Sequence, residues 1–151
     1  MDRPRSKGEK TKALIAEKAK VIFEQKGYVG TSMEDIREFS EISKGSIYYH
    51  FKSKEELFLY TVEKTSEIWR TGWEEHSKKV ETSTEKLHLL AEYHASDMQL
   101  PLSHVVPEYI AAEDTDDKKM DHIRGLVKPG YDVFRQIIDE GMNRKTDERL
   151  R

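Results

Sequence analysis

Apolar residues along this chain recur every three to four positions, not every second one. Ile15, Ala19, Ile22 and Phe23 fall at i, i+4, i+7 and i+8 and mark one face of a helix beginning near Gly8. Gly27 sits where that helix would end. Thr31-x-x-Glu34 reads as a capping box that opens a short second helix carrying Met33, Ile36 and Phe39. A turn around Ser40-Glu41-Ile42 leads to Ser43, an N-cap for a third short helix reaching about His50. Ser53-x-x-Glu56 is a second capping box. It starts a long amphipathic helix with Leu57, Phe58, Thr61, Val62, Thr65, Ile68, Trp69 and Trp73 along it.

Thr82-x-x-Glu85 opens a fifth helix, with Leu87, Leu90, Ala91, His94 and Met98 on one stripe. A short helix is expected around residues 103–113, with Pro107 in its first turn or at a kink. The acidic run Glu113-Asp114-Thr115-Asp116-Asp117 forms a loop and favours a helix start, where negative charge meets the positive end of the dipole. The last helix is expected over about 117–141, with Met120, Ile123, Val127, Tyr131, Phe134, Ile137 and Ile138 inward. Lys128-Pro129-Gly130 should break or bend it, and Gly141 should stop it. The fold class is therefore all-α. Three short helices packed by Ile15, Ile22, Phe23, Ile36, Ile47 and Phe51 describe a helix-turn-helix headpiece, followed by a helical body.

Composition narrows the chemistry. The 151 residues contain no cysteine, which excludes disulfides, thiol catalysis and Cys-based metal sites. No apolar run approaches the roughly 20 residues of a membrane span, so no membrane partner is expected and the cytoplasm is the default location. Net charge is −3, but residues 1–54 carry 12 Lys/Arg against 8 Asp/Glu, and the remainder 14 against 21. A basic headpiece (residues 1–55) joined to an acidic body (56–151) suits phosphate binding by the first part alone. Chance clustering would give the same numbers.

The third helix carries the candidate chemistry. Ile47 and Phe51 can face the core, which turns Lys44, Gly45, Ser46, Tyr48, Tyr49 and His50 largely outward, with part of one tyrosine ring free to pack back. Hydroxyls, an ammonium and helix N-terminal N–H groups all donate to phosphate, and Gly45 permits close backbone approach. Thr31-Ser32-Met33-Glu34-Asp35-Ile36 and the continuous run Ser43 to Leu57 resemble the DNA-binding signature of the TetR family. The resemblance implies a homodimer whose third helices enter successive major grooves of a palindromic operator on double-stranded DNA. It assigns Thr31 and Ser32 to phosphate at the start of the second helix. Lys44, Gly45 and Ser46 go to base edges or phosphate, Tyr48, Tyr49 and His50 to backbone and thymine methyls, and Lys54 to a phosphate clamp. Arg3, Arg5 and Lys7 are either an arm reaching a groove or a solvated tail. A Lys- or Arg-guanine fork discriminates by roughly 1–3 kcal/mol. With Lys44 alone available, specificity is expected to lean on hydroxyl and apolar contacts and on DNA shape.

From Tyr48 to about Gly141 the chain also resembles the quaternary-ammonium-responsive multidrug repressors of that family, through Trp69, Trp73, Glu85-Lys86 and Glu108-Tyr109. That likeness implies a small-molecule inducer, hydrophobic or cationic, bound by Trp69, Asp97 and Tyr109, since aromatic faces and carboxylates attract cations. Two departures point away from strong positive charge on the ligand: Thr65-Ser66 replaces an acidic pair, and Arg124 falls where an acid is expected. A less cationic or an anionic lipid-like ligand fits those changes. Trp69, Trp73, Met98 and Tyr131 are also ordinary bundle-core residues. Family members usually continue into two further long helices that form the dimer interface, so the resemblance marks this chain as C-terminally truncated. The reading is a ligand-responsive repressor without catalytic residues, metal site or cofactor. Its rival is a truncated helical interaction protein that does not bind DNA by itself.

Overall fold

The computed structural model describes residues 6–95 and 102–149, so Arg3, Arg5, Asp97, Met98 and Leu150 lie outside the described residues. These residues form seven helices and no strand: α1 (Lys7–Lys26), α2 (Met33–Ser40), α3 (Lys44–His50), α4 (Lys54–Ser77), α5 (Ser83–Ala95), α6 (Val106–Ala112) and α7 (Asp117–Arg149). None of the described helices is long and apolar enough to cross a membrane.

The helix starts follow side-chain caps. Ser6 and Glu9 close a capping box on α1. Thr82 and Glu85 do the same on α5: Thr82 N–H donates to the carboxylate at 2.9 Å, and Glu85 N–H donates to the threonine hydroxyl at 3.2 Å. Ser43 caps α3 by accepting from Ser46 N–H. Ser53 accepts from Glu56 N–H, but the Glu56 carboxylate reaches Lys52 N–H instead of the capping residue itself.

The cap of α2 corrects the sequence expectation by one residue. Ser32 and Asp35 form the box, not Thr31 and Glu34. Thr31 is turned inward, 2% exposed, and its hydroxyl donates to the Gly27 carbonyl at 2.6 Å. Glu34, freed from capping, pairs with Arg37 one turn on.

The α7 helix departs further. It runs unbroken through Pro129 and past Gly141. A proline inside a helix removes one hydrogen bond and costs about 3 kcal/mol. Burial of Ile123 before it and Ile137 after it holds the helix across that defect. Gly141 is not a stop signal: a β-carbon there would lie 3.2 Å from Ser83 Cβ, so the glycine lets α5 and α7 approach closely.

The chain divides into two compact units. The first holds α1, α2, α3, α4 as far as Lys64, and α6. The second holds α4 from Thr65, α5, and α7 from Lys118. The α6 helix packs within the first unit. Its core gathers Ile15, Phe23, Ile36, Ile47, Phe51 and Phe58. The second unit is built on Trp69, Trp73, Leu90, Tyr93 and Ile137. Tyr131, Phe134, Ile138 and Ile68, expected inward, are exposed. Ile123, Gly130 and Ile137, seven apart, define the buried line of α7, and the expected set had merged that line with its neighbour.

Ser32→Ala is expected to cost about 1 kcal/mol in denaturant unfolding and Glu34→Ala distinctly less, which discriminates the two cap assignments. Lys26 and then Ser32 hold the Asp35 carboxyl below its usual range. Its stabilisation is therefore full above the ordinary carboxylate pKa and is lost as pH falls toward the lowered folded value. Asp35→Asn should be less stable than the parent at pH 7, with the difference shrinking on acidification.

Candidate functional site

The α3 helix is seven residues long and is held to the first unit by Ile47 and the C-terminal neighbour Phe51, both buried. At about 100° per residue, Gly45 and Tyr49 lie nearly opposite Ile47. Tyr49 is 77% exposed, and Tyr48 is also exposed. Lys44, Gly45 and Ser46 occupy the first turn, with Lys44 and Gly45 exposed and Ser46 half-buried. Nothing lies within 4 Å of the place a β-carbon would take on Gly45. The Lys44 ammonium stands 6.0 Å from the Tyr48 ring centroid, and His50 packs edge-on against Tyr49 with centroids 5.0 Å apart. The result is one outward face bearing an ammonium, a hydroxyl, two phenols and an imidazole. Its aromatic area would be costly to leave in water without a partner.

The neighbouring residues divide. Ser32 is exposed at the start of α2, its hydroxyl engaged with Asp35. Thr31 is buried, and its hydroxyl donates to the Gly27 carbonyl. Lys54 donates to the Tyr28 carbonyl at 2.9 Å and lies 4.2 Å above the Tyr28 ring, so its ammonium ties α4 to the α1–α2 turn.

That turn is the centre of an arrangement the sequence did not reveal. Tyr28 is buried, with its ring edge-on to Phe58 and Tyr109 at centroid distances of 5.0 and 4.9 Å. Glu108 of α6 accepts from both Tyr28 N–H (3.1 Å) and Val29 N–H (2.9 Å). Glu113, just past α6, accepts from the Tyr28 hydroxyl at 2.5 Å. Glu55 accepts from the Tyr109 hydroxyl at 2.8 Å. Burial, and then the adjoining carboxylates, push both phenols well above their ordinary pKa and keep them protonated donors. Gly27 makes room for this clamp. Its φ is +73°, and a β-carbon would fall 2.3 Å from the Glu108 carboxylate. Glu108 lies about eighty residues from the turn it holds, so no local spacing signals the contact.

In the second unit, Trp69 is buried and stacks on His94, with centroids 5.6 Å apart and planes 15° apart. The Tyr93 hydroxyl donates to the Trp69 carbonyl at 3.2 Å. The Trp69 indole N–H has no acceptor among the described residues. Tyr109 is fully buried in the first unit, and its hydroxyl donates to Glu55. Asp97 lies outside the described residues. Glu85 is occupied as a cap, and the described residues hold no group of three His, Asp or Glu able to bind a metal.

Comparison with known proteins follows the same division. Residues 15–61 match the family described as "Bacterial regulatory proteins, tetR family", and residues 65–146 match "QacR-like protein, C-terminal region". The chain belongs to the TetR family. QacR of Staphylococcus aureus, an HTH-type transcriptional regulator, is 31% identical over 124 residues, 82% of this chain and 66% of QacR. IcaR of Staphylococcus epidermidis, a negative transcriptional regulator of the biofilm operon icaADBC, is 42% identical over 52 residues, 34% of this chain and 28% of IcaR. A TetR-family regulator from Agrobacterium tumefaciens superposes with a TM-score of 0.74 at 18% identity, over 91% of this chain and 74% of that one. FadR from Bacillus subtilis, solved with stearoyl-CoA, gives 0.69 at 21% identity, over 88% and 72%. At those identities the likeness to solved structures concerns the fold. This TetR-family chain spans 66% of QacR's length.

The clamp generates a testable expectation. Charge-assisted hydrogen bonds contribute about 1.5–3 kcal/mol each when partly buried. Glu108→Ala should lower unfolding stability by an amount of that order. Gly27→Ala should cost at least as much, and the double variant should fall short of the sum, because removing the carboxylate removes the clash. Additive losses in urea titrations would show that the two residues do not act together.

Proposed function

We propose that this chain is a DNA-binding transcriptional regulator in which α3 enters the major groove of an operator and a small molecule bound by the second unit alters that grip. The outward face of α3 is the observation that carries the reading. Its Lys44, Ser46, Tyr48, Tyr49 and His50 supply donors for phosphates and base edges, and apolar area for thymine methyls. Ser32 serves a phosphate at the start of α2. Thr31 and Lys54 act behind this surface, fixing the turn and α4 by internal bonds. The protein works where bacterial DNA lies, in the cytoplasm, as a repressor without catalytic activity.

A homodimer on a palindromic operator is part of this proposal, since two recognition helices about 34 Å apart read successive grooves. The inducer is hydrophobic or cationic and rests against Trp69, whose stacked indole supports an aromatic or extended apolar ligand. FadR's complex with stearoyl-CoA makes an acyl chain a second candidate. One continuous helix joins the two units along the chain. The α4 helix is continuous from Lys54 beside the headpiece turn to Ser77 in the second unit. The α6 helix holds the turn leading into α2 through Glu108 and Glu113. A ligand acts only through its differential affinity for the two arrangements of these helices.

The test is a gel shift on the DNA flanking the protein's own gene, across a salt series. Tyr49→Ala and Lys44→Ala should each weaken binding tenfold or more, and Lys44→Ala should also flatten the salt dependence. Parent-like binding by both variants would end the α3 assignment. Glu108→Ala should bind DNA but respond less to a lipophilic cation than the parent does.

A further inference from the structure

Within the second unit, α4, α5 and α7 border a cleft of about 390 Å³, inside the size range of small-molecule sites. Arg70, Trp73, Glu74 and Ser77 line it from α4, and their spacing of 3, 1 and 3 places them on one face of that helix. Asp132, Gln136 and Glu140 line it from α7, each four residues after the last. The deepest lining residues are apolar. Trp73 and Ile137 are buried, and the half-buried Val133 packs against the same core. Pro129 adds a ring that carries no N–H. Trp69, against which the inducer is placed above, is not a lining residue of this cleft.

The charges of the lining decide what fits. Arg70 donates to Glu74 at 3.0 Å within α4. Lys86 of α5 donates to one oxygen of Glu140 at 2.7 Å, and the Gln136 amide donates to the other at 3.0 Å. The Lys86 and Glu140 side chains are only 24% and 36% exposed, so water compensates that pair poorly. Asp132 has a looser partner, Lys128 at 3.6 Å. A purely cationic ligand that takes a carboxylate strips it from Arg70 or Lys86, and a purely anionic one does the reverse. Either leaves one member of a shielded pair alone, which is costly. A zwitterion exchanges partner for partner. Its carboxylate accepts from Arg70, whose planar fork suits two parallel bonds, and its ammonium donates to Glu74 or Asp132. An aromatic body between the charges then covers Trp73, Val133 and Ile137.

We propose that this cleft is a binding site for a zwitterion with an aromatic body, of which an aromatic α-amino acid is the simplest case, separate from the inducer position at Trp69. The experiment is isothermal titration calorimetry of the whole chain with three probes. L-phenylalanine carries both charges, phenylalaninamide keeps only the ammonium, and N-acetylphenylalanine keeps only the carboxylate. L-phenylalanine should bind at least tenfold more tightly than either analogue. Arg70→Gln should weaken L-phenylalanine at least tenfold and leave phenylalaninamide nearly unchanged, which removes the preference between those two. Glu74→Gln should in the same way remove the preference over N-acetylphenylalanine. Both side chains are about half exposed, so neither substitution disturbs the core, and circular dichroism confirms the helical content of each variant. Failure of L-phenylalanine to bind at millimolar concentration overturns the site. So does equal binding of the three probes, and so does a selectivity that both variants leave intact.

Discussion

Every polar group and the ring of Tyr28 are committed to a different neighbour, and the headpiece is fixed by that commitment. Its N–H goes to Glu108, its carbonyl to Lys54, its hydroxyl to Glu113, and its ring to Phe58 and Tyr109. The residue stands in the short link between α1 and α2, so it determines how α2 leaves α1. Thr31 reinforces the same link by bonding back to Gly27. With the link immobilised, the Ser32 cap starts α2 in one direction, and α3 follows after a tight turn at Glu41, whose φ of 58° is left-handed. The position of α3 is thus a consequence of a buried phenol two elements earlier.

That constraint explains how α3 can leave so much aromatic surface outside. An isolated seven-residue helix is not stable in water. Here Ser43 caps it, while Ile47 and Phe51 anchor it. These three positions supply the holding, which leaves the remaining residues available for contact. Gly45 and Tyr49 are next to each other on the outer side, so the absence of a β-carbon at one keeps the approach to the other open. The division of labour within ten residues is that of a helix held from behind to touch something in front.

Much of this was legible from spacing. The 3.6-residue periodicity found the seven helices, and the Thr82 and Ser53 caps begin their helices where the motif placed them. Pro107 lies in the first turn of α6, one of the two positions expected for it. Local rules give way where a longer-range contact competes. Thr31 and Ser32 are both good caps by type, but burial of the threonine against Gly27 decided between them. Pro129 and Gly141 are breakers by type, but packing along α7 carried the helix through both. Tyr109 is held by a contact of the same long-range kind. Its hydroxyl belongs to Glu55, a contact across 54 positions that no periodicity reports. The α3 face was readable because all its residues lie within one motif. The Glu108 clamp was not, because its halves lie eighty positions apart.

The magnitude of the clamp bears on regulation. Allosteric couplings are typically about 1–3 kcal/mol. Each charge-assisted N–H bond to the Glu108 carboxylate is of the same order. A hydrogen bond of 2.9–3.1 Å loses most of its strength within an ångström of stretching, so a small displacement of α6 would release the Tyr28 turn without unfolding either helix. The packed rings around Tyr28 resist gradual deformation, which favours two discrete arrangements over a continuum. Release of one such hydrogen bond is of the size that a differential binding affinity can supply.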